Sequence, residues 1–365
     1  MSLPQSTAAS LRALPLALSA AFLVGAAWSG SAQATVIDLG TAASFNVFAL
    51  GNFSSAGSDT EGAVAVAGNA ALSGYSVNAL NKADSAGKAL VVGGNLNFWN
   101  GSINNGNAWV GGSTSLGNLG FAGSLQQGAA PFSFDQTAQQ LSSLSAALNT
   151  ATANGTASFN PWGGVTLRGD GSAGAQVFNV SGERLLGLNN IMFDRLSRGQ
   201  TLIFNVSGTR AGFQNVGLYG FADYNVLFNF VDVTDLVLSG VGVYGSILAP
   251  KASISGGNGQ INGNVVVKDW VSNIQINANH YFSTVDVAGL QLPSAPVSTP
   301  TSSPTSSPTS SPSAGPQSSP LSQPQSSPVS QPAKAVPEPG TLALLLAGLS
   351  ACALAARRRQ RHGRA

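Results

Sequence analysis

The chain has little of what most catalytic and metal sites require: one cysteine, two histidines and only 8% charged residues among 365. The cysteine, Cys352, lies in an apolar segment near the C-terminus, so the rest of the chain contains neither a disulfide bond nor a thiolate. These counts exclude metal sites built from clusters of His and Cys. Glycine is abundant, with 44 residues, and this composition is typical of tightly turning β-structure.

The sparse charges are unevenly placed along the chain. The full chain has a formal net charge of +2, but residues 35–292 contain nine Lys and Arg against thirteen Asp and Glu, a balance of −4. The positive excess therefore belongs to the two ends. Because a basic patch marks most nucleic-acid-binding surfaces, we predict no nucleic-acid partner.

The N-terminus has the parts of a secretory signal peptide. Arg12 precedes an apolar stretch over residues 13–28, and Ala32 and Ala34 form a small-x-small cleavage site. We predict that residues 1–34 are a signal peptide, handled by the secretion machinery and signal peptidase, and that the mature chain begins near Thr35. An uncleaved membrane anchor is the alternative.

The C-terminus combines a short motif, an apolar segment and a basic cluster. The motif is Val336, Pro337, Glu338, Pro339 and Gly340, and the cluster is Arg357, Arg358, Arg359, Arg361 and Arg364. The apolar residues between them, 341–356, would form a helix of about 24 Å, which is marginal for a hydrocarbon core of about 30 Å. We predict a transmembrane helix whose arginine-rich end stays in the cytoplasm.

This arrangement over residues 336–365 resembles the PEP-CTERM sorting signal of Gram-negative exopolysaccharide producers. The resemblance implies that exosortase, a membrane-embedded enzyme, recognises the Pro-Glu-Pro motif. It also implies that the protein crosses the inner membrane, is anchored transiently, and then resides at the cell surface or in the extracellular matrix. Residues 293–335, rich in Ser, Pro, Thr and Gln, are predicted to form a disordered linker before the signal.

Residues 35–292 repeat short β-rich runs at spacings of 18 to 26 residues. Phe178 recurs as Phe204 after 26 residues, and Phe228 follows 24 residues later. Because one run cannot bury its apolar side alone, the repetition predicts a mainly β fold of stacked coils, a β-helix or solenoid. Side-chain alternation along strands predicts that the three phenylalanines stack as an inward ladder. A β-sandwich is the alternative architecture.

Residues 131–154 break the β pattern. Leu141, Leu144 and Leu148 recur there at helical spacing among Ala, Gln and Ser. The segment predicts one amphipathic helix packed on the flank of the solenoid. Ser133 or Asp135 can cap its start, and residues 154–155, Asn-Gly, can end it.

A second resemblance covers residues 35–292. Residues 45–48 (Phe-Asn-Val-Phe), residues 58–69, the helix that begins near Phe134 and residues 244–250 (Tyr-Gly-Ser-Ile-Leu-Ala-Pro) are similar to the choice-of-anchor A domain. Domains of this family occur on secreted bacterial proteins and are regarded as adhesins. The resemblance implies a right-handed β-helix with one helix alongside, an architecture similar to that of ice-binding domains.

Candidate chemistry is limited to a few polar side chains. His280 is followed closely by Asp286, but no Gly-x-Ser-x-Gly motif accompanies them, so a catalytic triad is disfavoured. Asp59 and Glu61 are the candidate calcium ligands, since two positions apart on a strand place them on one face. Asp232 with Asp235 is a second acidic pair, which we interpret as lying in a loop. Arg168 and Asp170 are predicted to pair within a turn.

These observations favour a non-enzymatic surface protein that requires no cofactor, with calcium as the one candidate ion. We predict an adhesin or biofilm-matrix component whose partners, besides exosortase, are extracellular polysaccharide or matrix proteins. One alternative is a polysaccharide-active β-helix enzyme. Another is an ice-binding-like surface protein, although the threonines are scattered without a Thr-x-Thr series.

Overall fold

The computed structural model describes residues 35–80 and 87–287, which form a mainly β fold. The predicted signal peptide, linker, sorting motif, transmembrane helix and basic cluster lie outside these ranges. Within the ranges, no helix is long and apolar enough to span a bilayer.

The described elements are short strands and few helices. The helices are α1 (Phe134–Thr150) and α2 (Gly182–Leu186), with 3₁₀ turns at Gly40–Ser44 and Tyr219–Asp223. The strands before α1 are β1 (Thr35–Ile37), β2 (Val47–Ala49), β3 (Phe53–Asp59), β4 (Val64–Val66), β5 (Ala70–Val77), β6 (Lys88–Val92), β7 (Leu96–Ile103), β8 (Asn107–Val110), β9 (Thr114–Phe121) and β10 (Leu125–Gln127). Those after it are β11 (Thr156–Phe159), β12 (Gly164–Arg168), β13 (Gln176–Ser181), β14 (Asn190–Asp194), β15 (Thr201–Ser207), β16 (Arg210–Gln214), β17 (Asn225–Asn229), β18 (Asp235–Tyr244), β19 (Ser246–Asn262), β20 (Val265–Val271), β21 (Gln275–Asn277) and β22 (Val285–Val287).

Most of these strands form one curled, parallel sheet with three faces. Face A contains β13, β15, β17, the starts of β19 and β20, then β2, β4, β6, β8 and β10. Face B contains β16, the start of β18, the middle of β19, the end of β20 and the starts of β3, β5, β7 and β9. Face C contains the ends of β18 and β19, then β21 and the ends of β3, β5, β7 and β9. The predicted solenoid-like stacking is therefore confirmed, and the sandwich alternative is wrong.

The coils are not stacked in chain order. The first half winds from β2 in the middle of the stack to β10 at one end, and the second half winds from β13 at the other end back to the middle. There β20 pairs with β2, so that Val47 lies opposite Val265. Asn46 strengthens this junction, because its Nδ2 donates to the carbonyl oxygens of Gly263 (2.9 Å) and Asn277 (3.1 Å).

The inside of the stack is a column of apolar side chains in register. The predicted ladder is confirmed: Phe178 pairs with Phe204 and Phe204 with Phe228, and the ring centroids are 5.1 Å apart at both steps. Ile247 continues the column from Phe228 and leads to Val265 at the junction. Each fully buried phenylalanine contributes about 3–5 kcal/mol relative to alanine, so this column accounts for much of the stability of the second half.

Helix α1 covers the outside of face A. Leu141, Leu144 and Leu148 are buried in one cluster with outward apolar residues of that face. Ser133 is the N-cap and its Oγ accepts from the Gln136 amide (3.2 Å), as predicted. The helix ends at Thr150 rather than near residue 154, because Ala151 is already extended. The helix also carries the chain back from the end of the first half to the start of the second.

Two asparagines attach α1 to the sheet. Asn205 Nδ2 donates to the Leu148 carbonyl oxygen (2.7 Å), and Asn229 Nδ2 donates to the Ser145 carbonyl oxygen (2.9 Å). Ser145 Oγ in turn donates to Asn229 Oδ1 (2.6 Å). The Leu148 carbonyl oxygen also accepts from the Ala151 amide at the end of the helix, so Asn205 adds a second donor there. Asn229 contacts both the carbonyl oxygen and the hydroxyl of Ser145, and burial would otherwise leave that hydroxyl unpaired.

The corner between faces B and C uses one left-handed residue per coil. In the first half these are Gly57, Gly74, Asn100 and Asn118, with φ between 49° and 64°. Glycine and asparagine adopt this conformation at the lowest cost, which explains why each coil has one of these two residues at the corner.

The end of the stack that contains β13 and β16 is covered. Strands β11, β12 and β14 form a separate three-stranded sheet. Val165 and Leu167 of that sheet, together with Leu185 of α2, are buried in the inner core. Strands β1 and β22 form a separate antiparallel pair, and Ile37 and Val287 of this pair are buried in the cluster that lies on face A.

We expect Asn229→Ala to lower the free energy of unfolding by about 2 kcal/mol, because it leaves the buried Ser145 hydroxyl without its partner. Asn179→Ala is the matched control. Asn179 holds the same register position two strands away but is exposed, so its replacement should cost well under about 1 kcal/mol. Chemical denaturation of both variants measures the difference, and equal losses would contradict the proposed role of the asparagine ladder.

Candidate functional site

Face B is the face whose outer surface consists mainly of small side chains. One outward row runs in register through Val271, Ser54, Ala71, Asn97 and Ser115. A second row runs through Ala56, Ser73, Trp99 and Gly117. Parallel strands lie about 4.8 Å apart, so these rows form a regular, nearly flat surface. Helix α1 lies on face A and leaves face B uncovered.

The first half of face B carries no charge. Its four strand segments, residues 53–56, 70–73, 96–99 and 114–117, contain no Asp, Glu, Lys or Arg. In the second half, Arg210 and Asp235 occupy paired positions on neighbouring strands and form an ion pair with a separation of 3.0 Å. The first half of the face therefore attracts neither polyanions nor polycations strongly, and it can contact neutral polymers without a large desolvation cost.

Trp99 is the large aromatic side chain in this surface, and it is held in place. Its side chain is 46% exposed. The ring lies against Gly117 in the next coil, where any added Cβ would clash with the ring atoms. A fixed indole that is half exposed loses little conformational entropy on binding and offers an apolar surface with a polar N–H group.

The edge between faces A and B is stiffened by side-chain oxygens that accept backbone N–H groups of the next coil. Asp269 Oδ1 accepts from Asn52 (2.8 Å), Asn52 Oδ1 from Asn69 (2.9 Å), and Asn69 Oδ1 from Asn95 (2.8 Å). Asn95 Oδ1 continues the ladder to Ser113 (2.8 Å). This ladder explains the repeated Gly-Asn pairs of the sequence and makes the border of face B rigid.

Asp59 and Glu61, the predicted calcium ligands, flank the buried Thr60 at the end of β3. Gln275 Nε2 donates to Asp59 Oδ2 (3.4 Å), and the Ala278 amide donates to Glu61 Oε2 (2.9 Å). Burial, and then the nearby charge of Glu61, raises the pKa of Asp59 above its usual value. Burial and the same carboxylate raise the pKa of the Tyr281 phenol.

These two carboxylates offer few of the oxygens that calcium requires, which is six to eight. In the part of the chain that the structure describes, no group of three or more His, Cys, Asp or Glu side chains could hold a metal ion. Calcium binding at Asp59 and Glu61 stays a prediction.

The other acidic pairs are engaged separately. Asp232 is bound by Lys251 Nζ (2.9 Å) in a loop, whereas Asp235 begins β18 and pairs with Arg210. The predicted turn pair of Arg168 with Asp170 is wrong. Arg168 Nε donates to Asp194 Oδ2 (2.6 Å), because parallel pairing of β12 with β14 places the two residues opposite each other.

His280 lies in a partly buried environment beside an aromatic ring. Its ring lies 6.1 Å from the Tyr244 ring, and burial lowers its pKa, so the imidazole is neutral at pH 7. Asp286 lies opposite Val36 in the β1–β22 pair. The disfavoured reading of these residues as part of a triad gains no support from this arrangement.

Face B was not identified from the sequence. The sequence feature that indicates this face is the alternation of inward and outward residues in Leu96-Asn97-Phe98-Trp99, in which Asn97 and Trp99 face outward. The threonines do not form an outward series, since Thr60 and Thr201 are buried.

Comparison with known families gives two matches. The family model described as "Putative Ice-binding-like adhesive domain" matches residues 38–278, and the model of the PEP-CTERM protein-sorting motif matches residues 335–359. Both agree with the resemblances drawn from the sequence. No curated protein and no solved structure matches the chain.

We expect the stability of the protein to depend on the protonation of Asp59. Because the pKa of Asp59 is raised in the folded state, folding favours its protonated form, and the free energy of unfolding should fall as pH rises from the usual value of 3.8 through the raised one. Asp59→Asn should remove this decrease in urea denaturation measured as a function of pH.

Asp170→Asn is the control of opposite sign. Hydrogen bonds, first from the Ser172 amide, lower the pKa of Asp170 to about 2. Its contribution is present above pH 3.8 and is lost as pH falls toward 2, so this variant should be less stable than the wild type at neutral pH and equally stable in acid. If the free energy of unfolding of Asp59→Asn changed with pH in parallel with that of the wild type, the raised pKa of Asp59 would be refuted.

Proposed function

Because this chain belongs to the ice-binding-like adhesive domain family and carries a PEP-CTERM sorting motif, we propose that it is a non-enzymatic adhesive protein of the Gram-negative cell surface or biofilm matrix. In this proposal face B binds neutral extracellular polysaccharide. Sorting by exosortase delivers the protein to the surface, and the linker over residues 293–335 separates the adhesive domain from the membrane.

The observation that carries the proposal is the neutral, flat outer surface of face B with Trp99 fixed in it. Serine and asparagine side chains supply hydrogen-bond donors and acceptors to hydroxyl groups, and the indole offers a face against which a sugar ring can pack. Each contact is weak, but many copies anchored on one surface would bind a long polymer with high avidity.

The remaining parts of the proposal follow from the ends of the chain. A signal peptide over residues 1–34 would start export, and cleavage near Pro337 would release the transient anchor at residues 341–356. We further propose that the coils wind in the right-handed sense that is usual for parallel β-connections.

Two other functions have less support from the surface of face B. A polysaccharide-active enzyme needs clustered acidic and basic groups in a groove, whereas the first half of face B is uncharged. An ice-binding surface would require regular outward hydroxyl-methyl groups such as threonine, whereas the outward rows here contain Ser, Ala and Asn. Family likeness to ice-binding domains supports the architecture more than that function.

We expect Trp99→Ala to raise the Kd of the purified protein for its host's neutral exopolysaccharide by about tenfold, since it removes the aromatic anchor of the face. Trp162→Ala is the matched control. Trp162 is 80% exposed beside β12 of the separate sheet, so its loss should leave binding unchanged. Affinity electrophoresis with and without calcium measures both. Equal effects of the two variants would refute the assignment of face B, and depolymerised product would favour the enzyme.

We also expect deletion of the chain from Val336 to abolish retention at the cell surface, because the truncated protein lacks the sorting motif, the apolar segment and the arginine cluster. The truncated protein should instead appear in the periplasm or the medium, as fractionation and immunoblotting would show. Glu338→Gln changes only the motif and keeps the apolar segment, so it tests whether the motif itself is required for sorting. Unchanged retention of the truncated protein would contradict the sorting role.

A further inference from the structure

The two ends of the coil stack differ in how they are closed. One end is covered by the β11–β12–β14 sheet and α2, which pack on the inner core. At the other end, β10 pairs with β8 and β9 pairs with β7, and in residues 35–80 and 87–287 neither has a strand on its outer side. We call the strands β9 and β10 the open end. Their outer edges present backbone N–H and C=O groups in the parallel-sheet arrangement.

The core column reaches solvent at the open end. Leu116 continues the position of Phe98, and Phe121 continues that of Ile103. Phe98 and Ile103 are completely buried, whereas Leu116 is 37% exposed and Phe121 is half-buried. Leu119 and Leu125 are also only partly covered. An interior column that ends in this way loses the packing that each preceding coil receives from its neighbour.

The open end has none of the charges that usually protect such an edge. Between Lys88 and Asp135 the chain contains no Asp, Glu, Lys or Arg. Edge strands of soluble proteins are normally blunted by lysine, by inward charges, by proline or by a covering segment. Two complete coils without any charge, ending in an exposed core, indicate a surface that is adapted to pair with another strand edge.

We propose that the open end is a self-association surface, on which a second copy of this chain docks through its own open end. A second copy is the occupant that the surface fits, because it supplies the same apolar column and an equally uncharged pair of strand edges. Since the opposite end of the domain is covered, the contact joins like to like. It is therefore an isologous pairing about a two-fold axis, which closes as a dimer and does not grow into a fibre. Two adhesive domains joined in this way present two copies of face B.

The test is sedimentation velocity of the full-length chain in mild detergent over a wide range of concentration. The wild type should pass from monomer to dimer as concentration rises. Leu116→Lys places a charge in the exposed column and should raise the dimer dissociation constant at least about tenfold. Gln126→Lys, at an exposed position on β10, should act in the same direction without touching the core, which keeps the test valid if the first variant folds poorly. Thr209→Lys, exposed in the turn between β15 and β16, is the control and should leave the dimer unchanged.

A wild type that stays monomeric throughout would overturn the proposal. A dimer that resists both Leu116→Lys and Gln126→Lys would overturn it as well, because the contact would then lie elsewhere, for example in the tail. Ser54→Lys, exposed on face B in β3 and three strands from β9, should keep the dimer and weaken polysaccharide binding, so that failure of this proposal can be separated from failure of polysaccharide binding.

Discussion

The pairing of β2 with β20 is the contact on which the rest of the fold depends. Val47 and Val265 join the first coil of one half to the last coil of the other, more than two hundred residues later in the chain. Until that pairing forms, each half has an uncovered core on the side of the junction. The asparagines at the seam, led by Asn46, satisfy the backbone groups that meet there. Such distant pairings are entropically costly to close, so the junction must bury enough surface and make enough hydrogen bonds to offset that cost.

This order of winding determines what α1 must do. The chain leaves the open end after β10 and resumes at the far end with β13, so a segment must cross the length of the stack. A helix satisfies its own backbone hydrogen bonds on the way, and its leucine stripe buries the outward apolar residues of face A. One consequence is that faces A and B of the same coil stack have different outer surfaces. Face A is apolar and covered by α1, whereas face B is not covered by the helix and carries the fixed Trp99.

Local periodicity accounts for the parts of the fold that could be predicted. The phenylalanine ladder follows from alternation along strands and equal spacing between coils, and the leucine stripe of α1 follows from helical spacing. The sequence could not predict that the coils stack out of chain order, because nothing local distinguishes β20 as the partner of β2. For the same reason Arg168 was assigned to its near neighbour Asp170, whereas parallel pairing brings Asp194 opposite it.

The candidate site was missed for a related reason. A search for chemistry looks for clustered charges and histidines, and here Asp59, Glu61 and His280 are engaged by backbone or aromatic neighbours. The surface that remains is defined by what it lacks, since both face B in its first half and the open end are uncharged. A charge on either surface would oppose the neutral contacts proposed for it, because the charge would have to lose its water on binding. In the absence of charge, specificity would have to come from shape. The covered end leaves one end of the stack for self-association, and the fixed Trp99 gives face B one defined aromatic position.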